Sequence, residues 1–352
     1  MKALRFHGRG DLRVEDIPEP QVREDTVKVK VDWCGLCGSD LHEYQAGPIF
    51  IPTEENPHPV TGEHLPVVMG HEFAGTVAEV GPGVTGLSPG DPVAIEPLIY
   101  DGTCYACQTG HHNVCKNIGF HGLSGGGGGL AEYTVVPRYM VHKLPEGVGT
   151  DVGALVEPIA VGWHAMRQAG FQPGQTALIT GAGPIGAVTL LCLRAGAARW
   201  VAVSDVSDAR KQLARDLGAD AVYDPREVDV AEMVRQETDG IGVDVAFECS
   251  GASPALQSAI SAVAPHGVVC NVAIWEKPAE MQPNDLVLNE VAMTSSLGYA
   301  FDHPAVLDAL ARHEIDTSRI ITDRIALDDV VEAGFDELIN NKDQHVKILV
   351  HP

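Results

Sequence analysis

Positive charge and aromatic rings are both scarce in this sequence. Its 24 lysines and arginines face 48 aspartates and glutamates, a net charge of −24, and aromatics make up 5% of the chain. So acidic a field repels phosphate backbones and anionic bilayers, so neither nucleic acid nor a membrane is an expected partner. A long hydrophobic run is missing too. The most apolar stretch, Leu178 to Leu193, is broken by Gly181, Gly183, Pro184 and Gly186, and it is shorter than the ~20 residues of a membrane span. The start, Met1-Lys-Ala-Leu-Arg-Phe-His7, has no apolar centre of an export signal, so a cytoplasmic location is expected. Eight cysteines in 352 residues are too few for a disulfide scaffold. The acidic excess reads as a solubility device or an adaptation to a saline interior.

What is present is globular: 45% hydrophobic residues, 20% charged, and 38 glycines that imply many tight turns. The length suggests about two domains. In the first 150 residues strand patterns dominate. Val27-Lys-Val-Lys-Val-Asp32 alternates apolar and charged residues, and Phe73 to Val80 and Glu132 to Val136 have strand composition. After Pro158 strands alternate with helices: strands at Thr176–Thr180, Trp200–Ser204, Val243–Glu248 and Gly267–Val272, helices at Pro184–Arg194 and Ala209–Leu217. That rhythm implies an α/β fold with a doubly wound parallel sheet. Val346-Lys-Ile-Leu-Val350 reads as a strand returning to the first domain, and Gly125 to Gly129, after Ser124, as a mobile connection.

Gly181-Ala-Gly183-Pro184-Ile185-Gly186 fits G-x-G-x-x-G, directly after a buried strand and at the start of a helix. In that setting the first glycine permits the turn, the second admits a pyrophosphate, and the third lets helix and strand pack closely. The helix N-terminus then offers free N–H groups to the phosphates. Asp205 ends the next strand at the spacing of a ribose-binding carboxylate, which accepts both hydroxyls and repels a 2′-phosphate. NAD is therefore favoured over NADP, although Arg210 and Lys211 lie close by.

Cys37, in Cys34-Gly-Leu-Cys37-Gly-Ser39-Asp40-Leu-His42, and His71-Glu72, in Gly70-His-Glu-Phe-Ala-Gly75, offer thiolate, imidazole and carboxylate, donors that suit zinc with an open position. Cys34 and Cys37 also read as a redox pair or half of a structural zinc site. These runs, with Val156-Glu157-Pro158 and Gly181 to Gly186, stand in the order found in zinc-containing medium-chain dehydrogenases, and the chain resembles that superfamily along nearly its whole length. Within it, Trp33 to Tyr44, Ala46-Gly-Pro-Ile-Phe-Ile-Pro52, His58 to Glu63 and Tyr139 to Lys143 are most similar to the (R,R)-2,3-butanediol dehydrogenases.

The resemblance implies a β-rich GroES-like catalytic domain, residues 1–157 with 297–352, and a Rossmann domain at 158–296. It implies Cys37, His71 and Glu157 as ligands of a catalytic zinc, with Glu72 binding directly or exchanging with Glu157. Ser39 would contact the reacting hydroxyl, Asp40 would orient a ligand, and His42 would relay a proton or serve structure alone. Cys104, Cys107 and Cys115 match a structural zinc lobe whose fourth cysteine position is here Asp101. Either Asp101 completes that site, His111 or His112 replaces it, or the lobe holds little metal. The implied activity interconverts a small secondary alcohol or diol and its ketone with NAD, foremost (R,R)-2,3-butanediol and acetoin, with diacetyl reduction beside it. L-threonine and sorbitol-type polyol dehydrogenases share the general motifs, and a non-catalytic NAD-binding protein is the distant alternative. Relatives are commonly homo-oligomers, dimers or tetramers.

Overall fold

The alternation at Val27–Val31 becomes the strand Thr26–Gly35, the spine of the first of two units. A computed structural model describes all residues, 1–352. The first unit comprises Met1–Glu157, His303–Ala311 and Ile321–Pro352, and the second Pro158–Asp302 with Arg312–Ile320. The spine pairs antiparallel with Glu72–Val80, Tyr133–Pro137 and Lys347–His351. Its apolar residues Val27, Val29 and Val31 pack with Phe73, Val77, Ile348 and Val350 in one core.

Register decides what meets at the end of this sheet. Gly35 is opposite Glu72, and Leu349 is opposite Gly35. Cys37 lies two residues beyond Gly35, His71 one residue before Glu72, and Lys347 at the start of its strand. All therefore emerge at the same edge, although nearly the whole chain separates the first from the last.

In the second unit, six parallel strands follow the order Ala221–Tyr223, Trp200–Ser204, Thr176–Thr180, Val243–Glu248, Val263–Asn271, Ala292–Ser295. In sequence terms that is 3-2-1-4-5-6, the doubly wound order whose ligand crevice lies where the direction of winding reverses. Thr176–Thr180, the first of these strands in sequence, is buried throughout, and Gly181 follows it at once. Pro184 starts the next helix, Pro184–Ala195, where its missing N–H costs nothing. None of the helices is long and apolar enough to cross a membrane.

Two expectations need correction. The second unit does not end at 296 but continues to Asp302 and also takes in Arg312–Ile320. The reason is the fully buried Asp302 carboxylate, which accepts hydrogen bonds from His164 Nδ1 (2.8 Å) and the Ala300 amide (2.9 Å) and pairs with Arg167. The glycine run is no loose link either. Gly129 N–H donates to Gly70 O (2.7 Å), and a side chain at Gly128 would strike the Met69 carbonyl. The run is a close-packed support for the backbone that presents His71.

His121 lies beneath that run, with Nε2 2.7 Å from Thr134 Oγ1. Burial pushes its pKa down to about 3. In the unfolded chain an ordinary imidazole protonates near pH 6.5. Between about pH 6.5 and 3 the unfolded state therefore binds a proton that the folded state refuses, and stability falls by about 1.4 kcal/mol per pH unit from this residue. Urea unfolding of His121→Gln is expected to show a shallower loss than wild type across that window. Equal slopes would remove His121 from the acid response.

Candidate active site

Cys37 precedes the helix Gly38–Ala46, and its backbone N–H donates to Asp40 Oδ2 at 3.0 Å. The other oxygen of Asp40 lies 3.5 Å from His71 Nδ1. Asp40 is fully buried, so one carboxylate holds the thiol-bearing turn and faces the imidazole. With Nδ1 turned toward Asp40, Nε2 is the ring nitrogen left for a metal. Donor atoms of Cys37, His71 and Glu72 all lie within 4.8 Å of one another. Ser39 Oγ is 3.3 Å from Cys37 Sγ.

Thiolate, imidazole and carboxylate fit zinc. The electrostatics agree. Burial opposes a charge on His71, yet Asp40 and Cys37 outweigh it and raise its pKa well above the usual imidazole range. Asp40 Oδ1 and His71 Nδ1 are buried without a hydrogen bond between them. A concentration of buried anions of this kind calls for a cation.

Lys347, which the sequence reading passed over, supplies part of that charge. Its ammonium is 2.5 Å from Glu72 Oε2 and donates to Leu36 O at 3.0 Å. Burial works against its charge, but Glu72 foremost, then Cys37 and Glu157, raise its pKa above the ordinary lysine value. A lysine inside the apolar run Val346–Val350 was the available signal: a buried lysine needs an anion. Gly35 belongs to the same arrangement, because a side chain there would strike Glu72 Oε2.

The remaining expected residues fall as follows. Glu157 is buried in the first turn of the helix Val156–Gln168, outside the converging trio but near enough to act on Lys347. His42 is exposed on the helix Gly38–Ala46. Cys34 is fully buried, its pKa raised by burial, and stands outside the donor group. Phe120, also unanticipated, places its ring 6.3 Å from that of His71.

A second group converges at Asp101, Cys104, Cys107 and Cys115. Cys104 Sγ lies 3.6 Å from Cys107 Sγ and 3.8 Å from Cys115 Sγ. Zinc–sulfur arms of ~2.3 Å at tetrahedral angles separate sulfurs by about 3.8 Å, so the thiols already stand at zinc spacing. The amides of Asp101 and Asn117 both donate to Cys115 Sγ at 3.3 Å, as they would to a thiolate. Hydrogen bonds from backbone amides and neighbouring thiols bring Cys104 down to about 7, whereas burial, with the neighbouring thiols, pushes Cys107 up to about 12. Asp101 also accepts from the Thr103 (2.7 Å) and Cys104 (2.8 Å) amides through Oδ1 and from Asn117 Nδ2 (2.9 Å) through Oδ2. Those bonds hold its carboxylate anionic, its pKa far below the usual range. His111 and His112 are not in this donor group.

In the second unit the glycines divide their tasks. Gly181 has φ +97°, and a side chain there would meet Ser250 at 2.8 Å. One at Gly186 would strike the Gly181 carbonyl, whereas at Gly183 only Arg210 Nη1 lies near, at 3.8 Å. Backbone approach thus stays open at Gly183, with a guanidinium beside it. Asp205 Oδ2 accepts from the Ala182 amide (2.7 Å) and Oδ1 from Ser207 N–H (2.8 Å). The carboxylate braces the glycine turn while retaining lone pairs for further donors.

The alcohol dehydrogenase GroES-like domain family matches residues 23–146, and the zinc-binding dehydrogenase family matches 184–312. The chain is 44% identical to an (R,R)-butanediol dehydrogenase of Bacillus subtilis, with all of both chains covered. It is 42% identical to one of Neisseria gonorrhoeae, covering 100% of this chain and 99% of the other. The crystal structure of a 2R,3R-butanediol dehydrogenase from Bacillus subtilis superposes with a TM-score of 0.94 at 43% identity, covering 100% of this chain and 99% of that one. With a GroES-like first unit, a doubly wound second unit and relatives that match from end to end, the chain belongs to the zinc-binding alcohol dehydrogenases.

Proposed function

We propose that this enzyme interconverts (R,R)-2,3-butanediol and acetoin with NAD, and also reduces diacetyl. The convergence of Cys37, His71 and Glu72 within 4.8 Å supports the reading most directly, in a chain that also has the dinucleotide turn. The full-length relatives named for this reaction support the substrate. Cys37 and His71 would hold zinc, with Glu157 as third donor or Glu72 binding in exchange with it. When bound, zinc supplies Lewis acidity toward the substrate oxygen and NAD accepts hydride. Ser39 would take up the hydroxyl proton while passing on its own, and His42, on the exposed face, would return a proton to water. The balance is one alcohol and NAD⁺ against one ketone, NADH and one proton.

The apolar loop at Ile49, Phe50 and Ile51 supports the reading of substrate size and polarity. The buried Glu43 carboxylate accepts from the amides of Ile49 (2.8 Å), Phe50 (2.5 Å) and Ile51 (3.3 Å). Ser124 ties the same loop to the segment of Phe120, donating to Phe50 O at 3.3 Å and accepting from Phe120 N–H at 3.1 Å. An apolar loop fixed beside the neighbour of His71 favours a short diol over a charged amino acid. Asp205 favours NAD. The exposed edge strand Ala292–Ser295, near the exposed Val287 and Leu288, supports a homodimer or tetramer, since such edges are normally covered. All eight cysteines stand outside disulfides, as suits the cytoplasm.

Initial rates with NAD⁺ on the separate 2,3-butanediol stereoisomers, L-threonine and sorbitol test the proposal. At least a tenfold preference in kcat/KM for the (R,R) isomer is expected. Turnover confined to threonine or sorbitol would move the substrate and keep the chemistry.

A further inference from the structure

A third set of donors converges in the first unit, made of residues that belong to neither centre described above. Glu96 follows the strand Pro92–Ile95, His142 lies in the paired strand Val141–Lys143, and His303 opens the helix His303–Ala311. One donor atom from each lies within 4.8 Å of the other two. Glu96 Oε2 is 2.8 Å from His142 Nε2 and 3.5 Å from His303 Nδ1. The two imidazoles stack, with planes 17° apart and centroids 5.1 Å apart. His303 is fully buried, and the side chains of Glu96 and His142 are 15% and 19% exposed.

We propose that Glu96, His142 and His303 form a third metal site, selective for a borderline divalent cation of the zinc type. Two imidazoles and a carboxylate are a donor set that zinc accepts, leaving a fourth position for water. Arms of ~2.0–2.1 Å at tetrahedral angles place such donors about 3.3 Å apart. The observed 2.8 and 3.5 Å bracket that spacing. Calcium and magnesium are disfavoured, because they take oxygen donors.

A single cation would engage all three donors at once. Three groups of this kind converge in the structure, and the other two are the expected centres of a zinc enzyme. His142 also lines a surface depression of ≈ 370 Å³ together with Leu307 and Asp308. The donors come from two paired strands and a helix start, so a bound cation would cross-link the helix His303–Ala311 to the sheet. No substrate chemistry is assigned to it.

The test uses tag-free, zinc-loaded full-length enzyme, dialysed into metal-free buffer and titrated with ZnCl₂ in a calorimeter, with metal content by mass spectrometry before and at saturation. At saturation wild type is expected to hold one equivalent per chain more than His142→Gln, with dissociation at least tenfold tighter at that step and a higher melting temperature. Glu96→Gln should behave like His142→Gln, and both should retain turnover within about twofold, as expected for a site off the reaction path. His142 is partly exposed, so its variant remains informative should a change at buried His303 fail to fold. Equal zinc content and affinity in wild type and both variants would overturn the proposal.

Discussion

Cys37→Ser is expected to lower kcat/KM for (R,R)-2,3-butanediol by at least about 10³-fold, because Lewis-acid stabilisation is worth several kcal/mol and each 1.36 kcal/mol is a factor of ten. The substitution removes the thiolate of the converging trio and little else. Serine is a preferred residue at a helix N-cap, and the Cys37 amide keeps its 3.0 Å bond to Asp40 Oδ2. The helix Gly38–Ala46 should therefore keep its start, and the melting temperature of the metal-free protein should change little. Metal content should fall by one equivalent per chain, while NADH fluorescence enhancement, which would report on the proposed cofactor turn at Gly181–Gly186, should persist. Turnover within tenfold of wild type, or an unchanged metal content, would remove Cys37 from the catalytic centre. Loss of NADH binding as well would point to a folding defect, which circular dichroism would register.

Much of this arrangement was legible in the sequence because it is written in local patterns. The strand Thr176–Thr180, the turn at Gly181 and the helix from Pro184 follow from apolar composition, backbone freedom and a proline suited to a first helical turn. The thiols at Cys104, Cys107 and Cys115 are legible because a metal lobe is nearly local, with short spacings doing most of the positioning. Contacts between distant segments were not legible. Glu72 and Lys347 meet only because Gly35 pairs with both of their strands, and no composition or periodicity encodes that register. The glycine run looked mobile for the same reason: its packing partners, the Met69 and Gly70 carbonyls, are remote in sequence. The grouping of Glu96, His142 and His303 likewise exists only in the fold.

Lys347→Met is expected to destabilise the protein by about 3–5 kcal/mol, the cost of leaving one member of a buried ion pair alone. Against a typical total of about 5–15 kcal/mol, this is a large fraction. The side chains of Lys347 and Glu72 are 3% and 1% exposed, so water cannot replace the lost partner. Leu36 O would also lose the donor it now has at 3.0 Å. Thermal melts of wild type, Lys347→Met, Glu72→Gln and the double variant, all loaded with zinc, complete a double-mutant cycle. The double variant should recover part of the loss, because it no longer buries a lone carboxylate. A Lys347→Met penalty below about 1 kcal/mol would mean that Glu72 is neutralised by other means. The metal is the obvious candidate, because an ammonium 2.5 Å from Glu72 Oε2 competes with a cation for the same oxygen. The outcome thus separates two arrangements of one carboxylate: held on Lys347 with Glu157 toward the metal, or released to the metal once the lysine is gone.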